Sequence, residues 1–160
     1  MIEVVLDDPA WSAALADPEA LARQAALAAI AFAAPRDIAI LLTDDAAVRD
    51  LNRRFRGQDK ATNVLSFPAP PTPGNPPGAP LGDIALAFGV CQAEAGVQGK
   101  PLADHLRHLV IHGVLHLAGY DHHGADDAAR MERIERDLLA AMQVPDPYAD
   151  VLSDAAHVEP

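Results

Sequence analysis

The chain has 160 residues, half of them apolar and 22% charged, which fits one compact domain with a sizeable core and excludes wholesale disorder. Twelve Lys and Arg against 23 Asp and Glu give a formal net charge of −11, which argues against non-specific binding to nucleic acid or anionic membranes but leaves room for a local basic groove. The single cysteine, Cys91, rules out an intrachain disulfide and a cysteine-rich zinc site, and its unpaired thiol fits a reducing, cytoplasmic setting.

Ile2–Leu6 reads as a short apolar strand, with no basic segment that would announce a secretory signal. Asp8-Pro9 opens a predicted helix running to about Ala33, and Pro35 stops it. Its most apolar part, Ala25–Ala34, is about half the length that a membrane span needs, so a buried Ala-rich helix is expected and no membrane association. Asp37–Thr43 is apolar on both faces, as an interior strand is. Asp44 and Asp45 cap a helix from about Ala46 to Phe55, which Gly57 ends. Asn63–Phe67 is a further strand. Residues 68–80 hold seven of the fourteen prolines and read as a surface loop.

Leu81–Ala87 returns as a strand, followed by a short helix near Val90–Ala95, a long one over Leu102–Ala118 and a last one over Ala125–Met142. Pro145 and Pro147 break the chain. The expected class is α+β, or mixed α/β: a small mixed β-sheet flanked by helices in one domain over residues 1–150, with 151–160 an acidic, frayed tail.

Six of the seven histidines lie between residues 105 and 123. His112 and His116 are four apart on the long predicted helix, so their imidazoles project from one face and can share an ion. Gly119 sits where a turn would carry His122 back over that face as a third ligand, with His123 as its rival. Three neutral nitrogens suit Zn²⁺ and leave a fourth position for water, as catalytic zinc sites do. His105, two turns before His112, reads as surface or as an outer neighbour of the site. His157, in the tail, has no assigned role.

The spacing matches the zinc-protease pattern H-E-x-x-H-x-x-G-x-x-H, but Gly113 stands where the protease carries its glutamate base. A zinc-protease-like metal helix with other chemistry is therefore expected. Asp121, beside a ligand, is a candidate to orient a histidine. Basic residues concentrate at Arg49, Arg53, Arg54, Arg56 and Lys60, five of the twelve in twelve positions. This is the candidate phosphate-binding surface, with Ser66 and Asp83 at predicted strand ends as possible cleft residues.

The segment His112-Gly-x-Leu-His116-Leu-x-Gly-Tyr-Asp-His122 resembles the signature of the YbeY family, bacterial rRNA maturation factors and single-strand endoribonucleases. Phe55-Arg56-Gly57-x-Asp59-Lys60-x-Thr62-Asn63-Val64-Leu65-Ser66-Phe67-Pro68 is similar to that family's arginine-containing block, and Leu81-Gly82-Asp83-Ile84 to its next strand. Met131 and Glu132 through Leu139 resemble its closing helix. The likeness spans roughly residues 37–140. The chain departs from the family in its longer proline-rich insert, in Asn63 where aspartate is frequent, and in Phe55 for the usual tyrosine.

Beside one Zn²⁺ per chain on His112, His116 and His122, the residues offer Arg53, Lys60 and Ser66 as substrate contacts, and the resemblance implies Arg56 as the catalytic arginine. It implies single-stranded RNA, the 3′ end of 16S rRNA, as substrate in ribosome maturation and quality control. Partners would be the small ribosomal subunit with its proteins and an Era-type GTPase. Two alternatives stand beside this reading: another metallohydrolase with a remote base, and a non-catalytic ribosome-assembly factor whose zinc holds the fold.

Overall fold

A computed structural model describes residues 1–32, 36–70, 73–74, 79–121 and 123–148. The expected tail at 151–160, His157 and His122 lie outside them, as do residues 71–72 and 75–78 of the proline-rich loop.

Four strands form one mixed sheet: β1 (Ile2–Leu6), β2 (Asp37–Thr43), β3 (Val64–Pro68) and β4 (Pro80–Ala87), in the spatial order β1-β2-β4-β3. β1, β2 and β4 run parallel, and β3 pairs antiparallel to β4 with Val64 opposite Leu86 and Phe67 opposite Asp83. β2, apolar on both faces, is interior as expected. β3 forms an edge. Side chains alternate across the sheet, so Val4, Ile38, Ile40, Leu42, Ile84 and Leu86 fall on one face, where they join the main core. Leu41, Leu65, Phe67, Ala85 and Ala87 belong to a smaller cluster on the other.

The main core is closed by α2 (Pro18–Ile30), α5 (Leu102–Leu117) and α6 (Ala125–Ala141). Ala22, Ala25, Ala26 and Ala29 of α2 are fully buried, and their small side chains let that helix lie close against its neighbours. The opposite face carries α3 (Asp45–Arg56), whose Val48 is fully buried over Leu65 and Ala85. This helix starts and stops as its sequence dictates. Asp44 accepts the Ala47 N–H at 2.8 Å, and Gly57 closes the end at φ 67°, a conformation that costs glycine nothing.

Two elements differ from expectation. The helix predicted from Asp8 to Ala33 is two: α1 (Ala10–Ala14) and α2. Proline clashes with a helical residue before it, so Asp17 cannot continue a helix into Pro18. Asp17 instead caps α2, accepting the Ala20 N–H at 3.1 Å. α4 (Phe88–Gln98) is longer than the predicted Val90–Ala95 and starts directly after β4. Its own sequence supplies no cap. Asp45, in the first turn of α3, accepts the Val90 N–H at 3.1 Å and does that work from a distance.

Candidate metal and RNA-cleavage site

α5 carries the histidines through the core side of the sheet. Eight buried positions run from His108 to Leu115 without a break, so this stretch of the helix is enclosed rather than amphipathic. Gly113 shows how close it lies to the strands. A Cβ there would stand 3.1 Å from the Ile84 side chain and 3.3 Å from Ser66 Oγ. The position that holds a glutamate base in zinc proteases faces the sheet here and has no room for one.

His112 and His116 stack one turn apart, with ring centroids 6.3 Å apart and planes within 9°. His112 is 4% exposed, and its Nδ1 lies 3.1 Å from Glu135 Oε1 on α6. A carboxylate on one ring nitrogen is the usual partner of a histidine whose other nitrogen ligates a metal. The donor set therefore fits an ion. Among the described residues no group of three His, Cys, Asp or Glu side chains is placed to hold one, and the third expected ligand, His122, is outside them. His123 is exposed, and its backbone N–H donates to Asp121 Oδ1 at 3.1 Å, so Asp121 shapes the turn after α5.

Glu135 is the residue that sequence reasoning missed. It is 1% exposed and takes contacts from His108 Nε2 and His112 Nδ1, each at 3.1 Å, and from the Tyr148 hydroxyl at 2.9 Å. Burial pushes its carboxyl pKa up, but hydrogen bonds from the two histidines, and their charges, outweigh burial and hold it at about 2. Burial and the Glu135 charge push the Tyr148 hydroxyl far up, so it stays a donor. The signal was present: Met131, Glu135 and Leu139 repeat at four-residue spacing on the buried stripe of α6, and a carboxylate on such a stripe needs partners.

His105 is not a surface residue. It is 1% exposed, with Nε2 2.8 Å from Glu94 on α4, which also takes an N–H from Asn63 at 3.1 Å.

The basic cluster splits. Arg49 forms a two-pronged pair with Asp59 at 2.8 and 3.2 Å, and Asp50 takes both Arg53, at 2.6 Å, and Arg54, at 3.3 Å. Arg53, an expected substrate contact, is thus an exposed ion pair. Lys60 is exposed, and its backbone carbonyl accepts from Asn52 at 2.9 Å. Arg56 is different: among the described residues it meets a carbonyl, not a carboxylate. Its guanidinium donates to the Ser66 backbone oxygen and lies over the Phe67 ring, 5.5 Å from its centroid. It opens into a cavity of about 880 Å³ lined by Val5, Leu41, Leu51, Phe55 and Phe67, with Asp83 at its wall.

Ser66 and Asp83 lie within strands, not at their ends. Ser66 is 1% exposed, and its hydroxyl donates to the Gly113 carbonyl at 3.4 Å, so the expected substrate contact is a buried tie between β3 and α5. Arg56, Ser66 and Gly113 form one hydrogen-bonded line that ends beside His112.

A family model described as Endoribonuclease YbeY matches residues 15–143. The chain belongs to the YbeY family. A Paramagnetospirillum magneticum protein named Endoribonuclease YbeY is 51% identical over 161 residues, covering 93% of this chain and 97% of that protein. A Rhodopseudomonas palustris protein of the same name is 47% identical, covering 92% and 80%. A solution structure of a Thermotoga maritima protein shares the fold, with a TM-score of 0.54 and 24% identity over 89% of this chain and 92% of that one. No described helix of this YbeY-family chain is long and apolar enough to cross a membrane.

Proposed function

We propose that this chain is a metal-dependent endoribonuclease that cuts single-stranded RNA in maturation of the 3′ end of 16S rRNA. The line from Arg56 through Ser66 to Gly113 carries the reading, because it ties the guanidinium to the turn of α5 that bears His112. His112, His116 and His122 would hold the ion, and zinc fits these neutral nitrogens. When bound, zinc lowers the pKa of its water to about 7 and so supplies a nucleophile or base at neutral pH.

The chain's own groups do the rest. Arg56 has one N–H fixed on Ser66 and others left to pair with a phosphate, offsetting charge that develops on its oxygens. Phe55 is 64% exposed beside Phe67, giving an unpaired base a surface on which to stack. Lys60, exposed in the loop after α3, adds a positive charge, while the ion-paired Arg53 contributes less. With a net charge of −11, free RNA is held weakly, so delivery by the small ribosomal subunit, its proteins and an Era-type GTPase fits. Residues 1–150 form one such domain, working in the cytoplasm.

The test is cleavage of a labelled single-stranded RNA by wild type, Arg56→Ala and His116→Ala protein purified alike. Arg56→Ala should lose about 10²–10³-fold in rate, the usual cost of one preorganised charge-stabilising donor, while keeping its fold and zinc. Equal cleavage by all three would trace the activity to a contaminant and put the assembly-factor reading first.

A further inference from the structure

The contacts around Glu135 form a small accounting problem in protons. Its Oε1 stands 3.1 Å from each of three atoms: His108 Nε2, His112 Nδ1 and the Tyr148 oxygen. Its Oε2 stands 2.9 Å from Tyr148. A carboxylate accepts hydrogen bonds and cannot donate, so each nitrogen that meets it must carry a hydrogen. A neutral imidazole has only one. His112 then carries its hydrogen on Nδ1, and His108 on Nε2.

We infer that one buried carboxylate fixes opposite tautomers on two histidines one turn apart, and so leaves the Nε2 of His112 without a hydrogen on the side that His116 shares. Glu135 acts through His112 and is a positioning residue. The inference deepens the metal reading above, since an unprotonated Nε2 is what an ion needs and a protonated one would repel it. His108 serves as the second anchor. Its ring lies edge-on to both neighbours, with centroids 6.4 Å from His112 and 5.5 Å from Tyr148. The Tyr148 hydroxyl, also 3.2 Å from His108 Nε2, spends its single hydrogen on Oε2. Held from α5, from α6 and from the segment after α6, the carboxylate has one stable orientation.

Tautomers are read directly from two-bond ¹H–¹⁵N correlations of the imidazole nitrogens in metal-free protein near neutral pH. The expected spectrum shows His112 protonated at Nδ1 and His108 at Nε2. Finding His112 protonated at Nε2 overturns the inference, whatever the protein's activity. In Glu135→Gln the amide can turn its N–H₂ to the Tyr148 oxygen and keep its own oxygen on both imidazoles, so that variant should retain the wild-type tautomers, whereas Glu135→Leu offers no acceptor and should let at least one of the two histidines switch. Zinc affinity of Glu135→Leu, measured by competition with a chelating dye, should fall about 10–100-fold. Unchanged tautomers together with unchanged affinity in a folded Glu135→Leu protein would overturn the proposal. Tyr148→Phe removes a donor but leaves both ring contacts, so it should keep the tautomers of the wild type; a switch there would show that Tyr148, not Glu135, sets them. Wild type that shows the expected tautomers yet binds no zinc supports the assignment by Glu135 and sinks only the metal reading.

Discussion

His108, His112 and Glu135 have side chains 5% exposed or less, and every one of them is tied to another. Arg49, Arg53 and Arg54, equally conspicuous as a run of charge in the chain, are 57–59% exposed and pair with nearby aspartates. The difference lies in solvent. In water a charge pair gains little that hydration did not already supply, whereas a buried polar group must be satisfied by its neighbours or it destabilises the fold. Density of charge in sequence is therefore a weaker guide to a site than a polar residue on an apolar stripe.

Three measurements bear on that contrast. The largest effect is expected from Glu135→Ala, which strips the acceptor from two buried imidazoles and a phenol. A loss of about 3–5 kcal/mol is expected for breaking such a buried constellation, read from the urea midpoint at unchanged slope. A loss below about 0.5 kcal/mol would mean that the cluster is hydrated and the contrast false.

Acid should act next, in metal-free protein. Burial holds His108 below its ordinary 6.5 against the pull of Glu135, so the fold keeps it neutral. The unfolded chain then binds that proton first, and stability begins to fall as pH drops below about 6.5. Glu135, held at about 2 against 4.5, contributes stability that is complete above pH 4.5 and lost as pH falls toward 2. Its share is at most about 3 kcal/mol. Urea titrations from pH 7 to pH 3 should show both declines, and Glu135→Gln should lack the lower one.

The smallest effect belongs to the surface. Asp59→Asn breaks the Arg49 pair, and the urea midpoint at physiological salt should not move measurably. A clear shift would make the exposed cluster part of the fold's support.

Much of the architecture was legible because it is written in local terms. Asp44 and Gly57 bracket α3, the two-sided apolar run of β2 marks an interior strand, and the spacing of His112 and His116 sets one helical face. What escaped depends on distant partners. The cap on α4 comes from Asp45, and the burial of Ser66 comes from α5 passing over it. Glu135 becomes meaningful only when α6 folds back along α5, 23 residues away in sequence from His112. The break before Pro18 was local, and the run of helix-favouring alanines around it hid it.

The contact between Arg56 and Ser66 has a consequence for self-association. Hydrogen bonds from Ala87 N–H to the Asn63 carbonyl and from Ala69 N–H to the Leu81 carbonyl turn the odd-numbered residues of β3 toward β4. Val64 and Ser66 therefore point their backbone groups to the open edge of the sheet, where another chain's strand could attach. Asn63 Oδ1 already accepts the Val64 N–H at 2.6 Å, and Arg56 already fills the Ser66 carbonyl. Arg56 thus also seals an adhesive edge, and any aggregate that grew by strand addition there would have to displace it.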